Sequence, residues 1–191
     1  MTAPRPHPEL WNTLVHLLGL LRQLLAATAP EAFAAISAEA RARLAHLTAM
    51  VRRYIHILAA EIILPPLQTA PAYPSVPAQV KCQRASRETF ALLEHPPMPG
   101  QCHTPASERD PPELQWALLW EAALRLSAVL RDPARHARRL ARYRQRGHAA
   151  PLRGLPVRWA VLRRLGAAAD ACLTRFDQLA QPAAWAEIDT S

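Results

Sequence analysis

The stretch LWNTLVHLLGLLRQLL, residues 10–25, indicates the fold class of this protein. Its leucines recur at alternating spacings of four and three residues, which is the period of one face of an α-helix: Leu10, Leu14, Leu17, Leu21 and Leu24. Neighbouring apolar residues make that face broader than an isolated helix could leave in water. We therefore expect other helices to cover it, and we place the end of this first helix near Ala29.

A second helix is predicted directly after the first. Ser37 is a candidate N-cap, and the Pro65-Pro66 pair stops the helix near Leu64. Its apolar face has the same alternating spacing, at Leu44, Leu47, Val51, Tyr54 and Leu58. Because the link between the two helices is short, an antiparallel hairpin packed along both faces is the simplest arrangement.

Three more helices are predicted in the C-terminal part. One begins at Pro112 and ends near Arg131, with apolar residues on nearly every side, which favours burial by several neighbours. Asp132 caps the next, which has Pro133 at its first position and runs to Gly147. The last is expected over about 157–180, closed by Pro182, with the face Leu162, Leu165, Ala169, Cys172, Phe176 and Leu179.

The chain thus predicts an all-α bundle of about five helices with a proline-rich extended central arm. Residues 1–64 form a helical hairpin, 65–111 the arm or linker, and 112–191 a three-helix unit that shares one core with the hairpin. Within the arm, Phe90, Leu92 and Leu93 form a short apolar patch. The patch either docks on the protein's own core or recognises a partner.

Catalytic and cofactor signatures are missing from the sequence. Five Gly cannot supply phosphate-binding loops, and no nucleophile elbow or metalloprotease motif occurs. Four zinc-ligand types lie in the arm, but their spacing fits no zinc motif: Cys82, His95, Cys102 and His103. The sequence predicts a protein that is not an enzyme and binds no cofactor or metal.

Three isolated residues are candidates for catalytic or binding chemistry. His56 on the second helix is a polar-face or satisfied core residue, and Glu61 needs an Arg partner or solvent because a bare buried carboxylate is costly. Cys172, on an apolar face, resembles an inert small hydrophobe more than a nucleophile. A deep pocket with converging polar groups around these residues would favour an enzyme instead.

Cellular location follows from the cysteines and the N-terminal segment. Three Cys without paired spacing point to a reducing compartment. Polar residues interrupt the first apolar run, so it is neither a clean signal peptide nor a membrane span. We expect a cytoplasmic protein with no membrane span.

The strongest local signal is a run of arginines in the fourth helix. The formal net charge is +8, carried by 22 Arg and the single Lys81, and the sequence pI is about 10.6. Five arginines follow helical spacing on one broad side of that helix: Arg135, Arg138, Arg139, Arg142 and Arg146. They either contact phosphates of an anionic partner or form a solvated face, partly paired with acids of neighbouring elements.

Two functions therefore remain. The first is a non-enzymatic helical interaction or adaptor protein with an unknown protein partner, indicated by the excess of apolar helix faces and the proline-rich arm. The second is a basic nucleic-acid-binding protein that uses the Arg-rich helix 133–147. A gel-shift titration in salt separates them.

Two segments carry a resemblance to other proteins. RDPARHARRLARY at 131–143, followed by PLRGLP at 151–156, resembles a group of short uncharacterised proteins of GC-rich bacteria, as does VRRYIHILAAEI at 51–62. The resemblance covers about a third of the chain and brings no activity with it. It implies a bacterial cytoplasmic setting.

Overall fold

The computed structural model describes residues 7–65, 110–146 and 167–185. Five α-helices occur there, with a 3-10 helix between the first two: α1 Pro8–Ala26, the 3-10 helix Pro30–Ala35, α2 Ser37–Ala60, α3 Pro112–Arg131, α4 Pro133–Gln145 and α5 Ala167–Trp185. These ranges contain no β-strand, so the predicted all-α bundle is confirmed. Residues 66–109 of the predicted arm and 157–166 of the predicted fifth helix lie outside the described part of the chain.

Helix α1 begins with Pro8 in its first turn, where a missing N–H is harmless, and it ends three residues earlier than predicted. Its buried side chains are Leu10, Leu14, Leu18, Leu21 and Leu25. The predicted Leu17 and Leu24 are only half-buried, beside this line. The helical period alone allows either set, and the position of the neighbouring helices selects between them.

The start of α2 differs from the prediction. Ser37 lies inside the helix, and its hydroxyl donates to the carbonyl of Ala34 at 3.2 Å. Ile36, the residue before it, has φ −108° and ψ −4°, because the backbone runs on from the 3-10 helix without the extended residue that an N-cap needs. The 3-10 helix also places Phe33 fully in the core.

Helix α2 is the central element of the bundle. It packs against α1, α3, α4 and α5, and its side chains from Met50 to Ala59 are all buried except that of Arg52, which is half-buried. It ends at Ala60 instead of Leu64, and Glu61 beyond it is exposed, as a carboxylate without a buried partner requires. Buried apolar side chains of all five α-helices form one continuous cluster.

Helix α3 has the predicted bounds but not the predicted all-round burial. Leu114, Leu118 and Leu124 are 47, 38 and 43% exposed, because α3 packs against its described neighbours along one side. On that packed side the indole N–H of Trp116 donates to the Leu25 carbonyl at 3.0 Å. Trp116 also stacks on Trp120, with ring centroids 5.6 Å apart.

Helix α5 runs parallel to α2 and differs from the prediction in two ways. Its buried side chains are Leu173, Phe176 and Ala180, while the predicted Leu179 is exposed and Cys172 is half-buried. The helix also continues through Pro182 to Trp185. Pro182 lies in the last turn of the helix, so the backbone hydrogen bond that it cannot donate is one of the last, and the helix continues past it.

Candidate nucleic-acid interface

Helix α4 begins where its sequence predicts. The carboxylate of Asp132 accepts a hydrogen bond from the backbone N–H of Arg135 at 3.1 Å, and Pro133 occupies the first helical position. The cap satisfies one of the free N–H groups at the helix start, and proline fixes a backbone angle that the helix needs. These two residues fix the start of α4.

The arginines and the buried residues lie on opposite sides of α4. With about 100° of rotation per residue, the five predicted arginines fall within an arc of about 100°. The buried residues are Pro133, Ala137, Leu140, Ala141 and Arg144, centred on the opposite side. We call Arg135, Arg138, Arg139, Arg142 and Arg146 the Arg face. All five are exposed, and they extend over about 16 Å of helix at 1.5 Å per residue.

The guanidinium groups of the Arg face form no ion pair within the described part of the chain. The ion pairs there involve other arginines, such as Arg53 with Asp177 and Arg125 with Glu121. No side chain of the Arg face makes a salt bridge or hydrogen bond with a described residue. Burial and the charge of Arg135 lower the pKa of His136 on the same helix, so that imidazole adds no charge at neutral pH.

A sixth arginine fixes α4 to α2. Arg144 is buried, and its Nη2 donates to Nδ1 of His56 at 2.6 Å, so the proton of the neutral imidazole is on Nε2. Burial, and then the charges of Arg144, Arg53 and Arg52, lower the pKa of His56 to about 3. His56 is therefore neutral at physiological pH and acts as a hydrogen-bond acceptor.

Two further contacts hold the same region. Arg53 is fully buried, and its Nε donates to Oδ1 of Asp177 at 2.6 Å, which joins α2 to α5. The side-chain amide of Gln145 donates to the Pro65 carbonyl at 2.7 Å, which holds the last turn of α4 against the segment that follows α2. The Arg face is thus carried on a helix whose last turn is held by Arg144 and Gln145.

The sequence interpretation missed the roles of Arg144 and Arg53, whereas His56 is the satisfied core residue that one of its two alternatives described. The signal for Arg144 was present, because it shares a helical face with Ala137, Leu140 and Ala141 and not with the other arginines. Its partner could not be read from sequence, since His56 lies 88 residues away. The same holds for Arg53, whose partner is 124 residues away.

The other predicted site residues fall into three groups. Phe90, Leu92 and Leu93 lie outside the described residues, as do the arm's cysteines and histidines. Glu61 is exposed, His56 is engaged by Arg144, and the thiol of Cys172 lies 3.7 Å from the sulfur of Met50. Within the described ranges no three His, Cys, Asp or Glu residues group as metal ligands.

Membrane insertion by a helix finds no support in this part of the chain. Among the helices described, none combines the length and the apolar character of a membrane span. Comparisons of the chain with protein families, with curated proteins and with solved structures find no match. The candidate function therefore depends on the geometry and charge of the site itself.

Proposed function

We propose that this protein is a non-enzymatic, cytoplasmic binding protein that docks on the phosphate backbone of double-stranded nucleic acid through the Arg face of α4. One observation carries the proposal: five exposed guanidinium groups share an arc of about 100° and form no ion pair with a described acid. Guanidinium groups bind phosphate in a bidentate manner and keep their charge at any physiological pH.

The dimensions of the Arg face suit a duplex. The major groove is about 12 Å wide, and the Arg face is about 16 Å long, so Arg135 and Arg146 at its ends can reach phosphates on both edges of the groove. Each contact releases condensed counterions, which is the main source of affinity in binding of this kind. The rigid seating of α4 on α2 keeps the five groups aligned before binding.

The partial burial of the aromatic side chain on α4 favours binding of a duplex over binding of single strands. Proteins that bind single strands stack bases on exposed aromatic rings. Tyr143, the aromatic residue of α4, is half-buried and packs against the core. A glutamine amide can recognise the edge of adenine, but the side-chain amide of Gln145 already donates to the Pro65 carbonyl. We expect binding that is weakly dependent on sequence.

A salt titration tests this function. Fluorescence anisotropy with the full chain and a labelled 20-base-pair duplex, at 50 to 200 mM salt, gives the log–log salt slope. If all five arginines contact phosphates, the slope is roughly −4 to −5. Absence of binding at the lowest salt contradicts the proposal. Equal or tighter binding of a single strand contradicts the preference for duplex.

A second candidate is the adaptor function, favoured by one observation on α3. Leu114, Leu118 and Leu124 lie within an arc of about 120° and are all substantially exposed. The test is affinity capture after nuclease treatment, comparing the full chain with a Leu114→Glu/Leu118→Glu variant. A partner retained by the first and lost by the second supports this function; no partner in either contradicts it.

A further inference from the structure

A cavity of about 410 Å³ lies between α1, α2 and α5, separate from the Arg face. Leu17 and Leu20 of α1, Leu47 of α2 and Ala168 of α5 supply apolar walls. This volume is within the range of small-molecule sites in proteins, which are concave, mostly apolar and lined by a few polar groups. Its polar lining groups decide which class of ligand it accepts.

The charged groups of the cavity neutralise each other. Glu39 and Arg43 are one turn apart on α2 and form a salt bridge, with both side chains partly exposed. An anionic ligand would have to displace Glu39 from Arg43, and a cationic one would have to displace Arg43 from Glu39. The cavity therefore offers no free charge to either kind of ion among its described lining groups.

The inner polar groups are also neutral and engaged. His46 is buried, and its Nε2 donates to the carbonyl of Ala169 at 2.9 Å. Burial lowers the pKa of His46, and it raises the pKa of the Cys172 thiol, so both side chains are uncharged at neutral pH. The hydroxyl of Thr13 donates a hydrogen bond to the carbonyl of Glu9.

We propose that the cavity between α1, α2 and α5 is a binding site for an uncharged, mainly apolar small molecule. Such a ligand gains from removal from water of its own surface and of the exposed parts of Leu17 and Leu20, and it disturbs no ion pair. Three helices fix the walls, so the site exists before the ligand arrives and little order has to be created on binding.

The first test is a titration of the full chain with N-phenyl-1-naphthylamine, an uncharged apolar fluorophore. We expect saturable one-to-one binding. Leu17→Phe and Ala168→Phe each narrow the cavity and should weaken binding about tenfold or more, which is about 1.4 kcal/mol. Ala128→Phe adds the same ring to the exposed side of α3 and should bind like the unaltered chain; circular dichroism identifies any variant that fails to fold.

The second test uses Cys172, which lines the cavity. In a Cys82→Ser/Cys102→Ser background it is the one remaining thiol. The saturating fluorophore should slow its alkylation by N-ethylmaleimide about tenfold, a change of about 1.4 kcal/mol in the activation free energy. The proposal is overturned by non-saturable fluorescence, by unchanged binding in both folded cavity variants, or by an unchanged alkylation rate.

Discussion

Nδ1 of His56 accepts a hydrogen bond from Nη2 of Arg144 at 2.6 Å, although 88 residues separate the two in the chain. The same helix, together with Arg146 at its C-cap, therefore presents five arginines to solvent and inserts a sixth, Arg144, into the bundle. A neutral imidazole is suited to this contact, because it accepts a hydrogen bond from the cation without adding a second charge that needs solvation.

Removing the acceptor should weaken the bundle. We expect His56→Leu to lower the free energy of unfolding at pH 7 by about 2 kcal/mol, the usual scale for a buried hydrogen bond to a charged group. His56→Gln keeps an acceptor oxygen and should lose less. Urea denaturation measures both, and His16→Leu, on the exposed side of α1, is the control. Equal losses for the leucine and glutamine variants would contradict this role.

The depressed pKa of His56 predicts loss of stability in acid. In the unfolded chain an ordinary histidine titrates near pH 6.5, while the native value is about 3. Between these values the unfolded state binds one more proton, so the stabilisation present above pH 6.5 declines as pH falls towards 3, by up to about 1.4 kcal/mol per pH unit.

Comparison with a variant isolates this contribution, because burial also lowers the pKa of His46 and His136. Free energies of unfolding measured from pH 7 to pH 4 should fall less steeply for His56→Gln than for the unaltered chain. The His16→Gln control should follow the unaltered chain. If His56→Gln and the unaltered chain give parallel curves, His56 is not the acid-sensitive group.

The Arg53–Asp177 pair predicts an asymmetric effect of substitution. Asp177→Ala leaves a fully buried guanidinium without its counter-charge and should lower the free energy of unfolding by about 3 kcal/mol. Asp177→Asn keeps an acceptor and should lose less. Glu121→Ala breaks the exposed pair with Arg125 and should change stability by less than about 0.5 kcal/mol. Similar losses for Asp177→Ala and Glu121→Ala would contradict the distinction.

Substitution of arginines in the Arg face should change the salt dependence of duplex binding. Arg138→Ala/Arg142→Ala should flatten the log–log salt slope of duplex binding by about 2, because two phosphate contacts are lost. Arg125→Ala/Arg175→Ala removes the same charge from α3 and α5, where both arginines are ion-paired. That control should leave the slope unchanged. An equal flattening in both variants would mean that net charge, and not the Arg face, binds the duplex.

Local sequence signals predicted the start of α4. The features that they did not predict depend on packing and on the preceding backbone. Asp132 and Pro133 fix a helix start through contacts within four residues, so the sequence suffices. Ser37 failed as a cap because the preceding 3-10 helix already sets the backbone before it. The choice of Leu18 over Leu17 depends on where neighbouring helices lie, which the spacing of leucines does not contain.

The candidate site also has one part that the sequence predicts and another part that depends on packing. Helical spacing was enough to place the five arginines on one side of α4. Their exposure depends on which face of α4 meets α2, and that follows from Ala137, Leu140 and the buried Arg144. The cavity between α1, α2 and α5 has no sequence signal at all, because its lining comes from three separate segments.

The contact between Arg53 and Asp177 also bears on how the protein is made. At about 5 to 20 residues per second, a ribosome needs roughly 6 to 25 s to extend the chain from one residue to the other. Until then α2 has neither the counter-charge for Arg53 nor the apolar cover of α5. The first two helices therefore leave the ribosome before α5 can cover α2, and completion of this packing follows synthesis of α5.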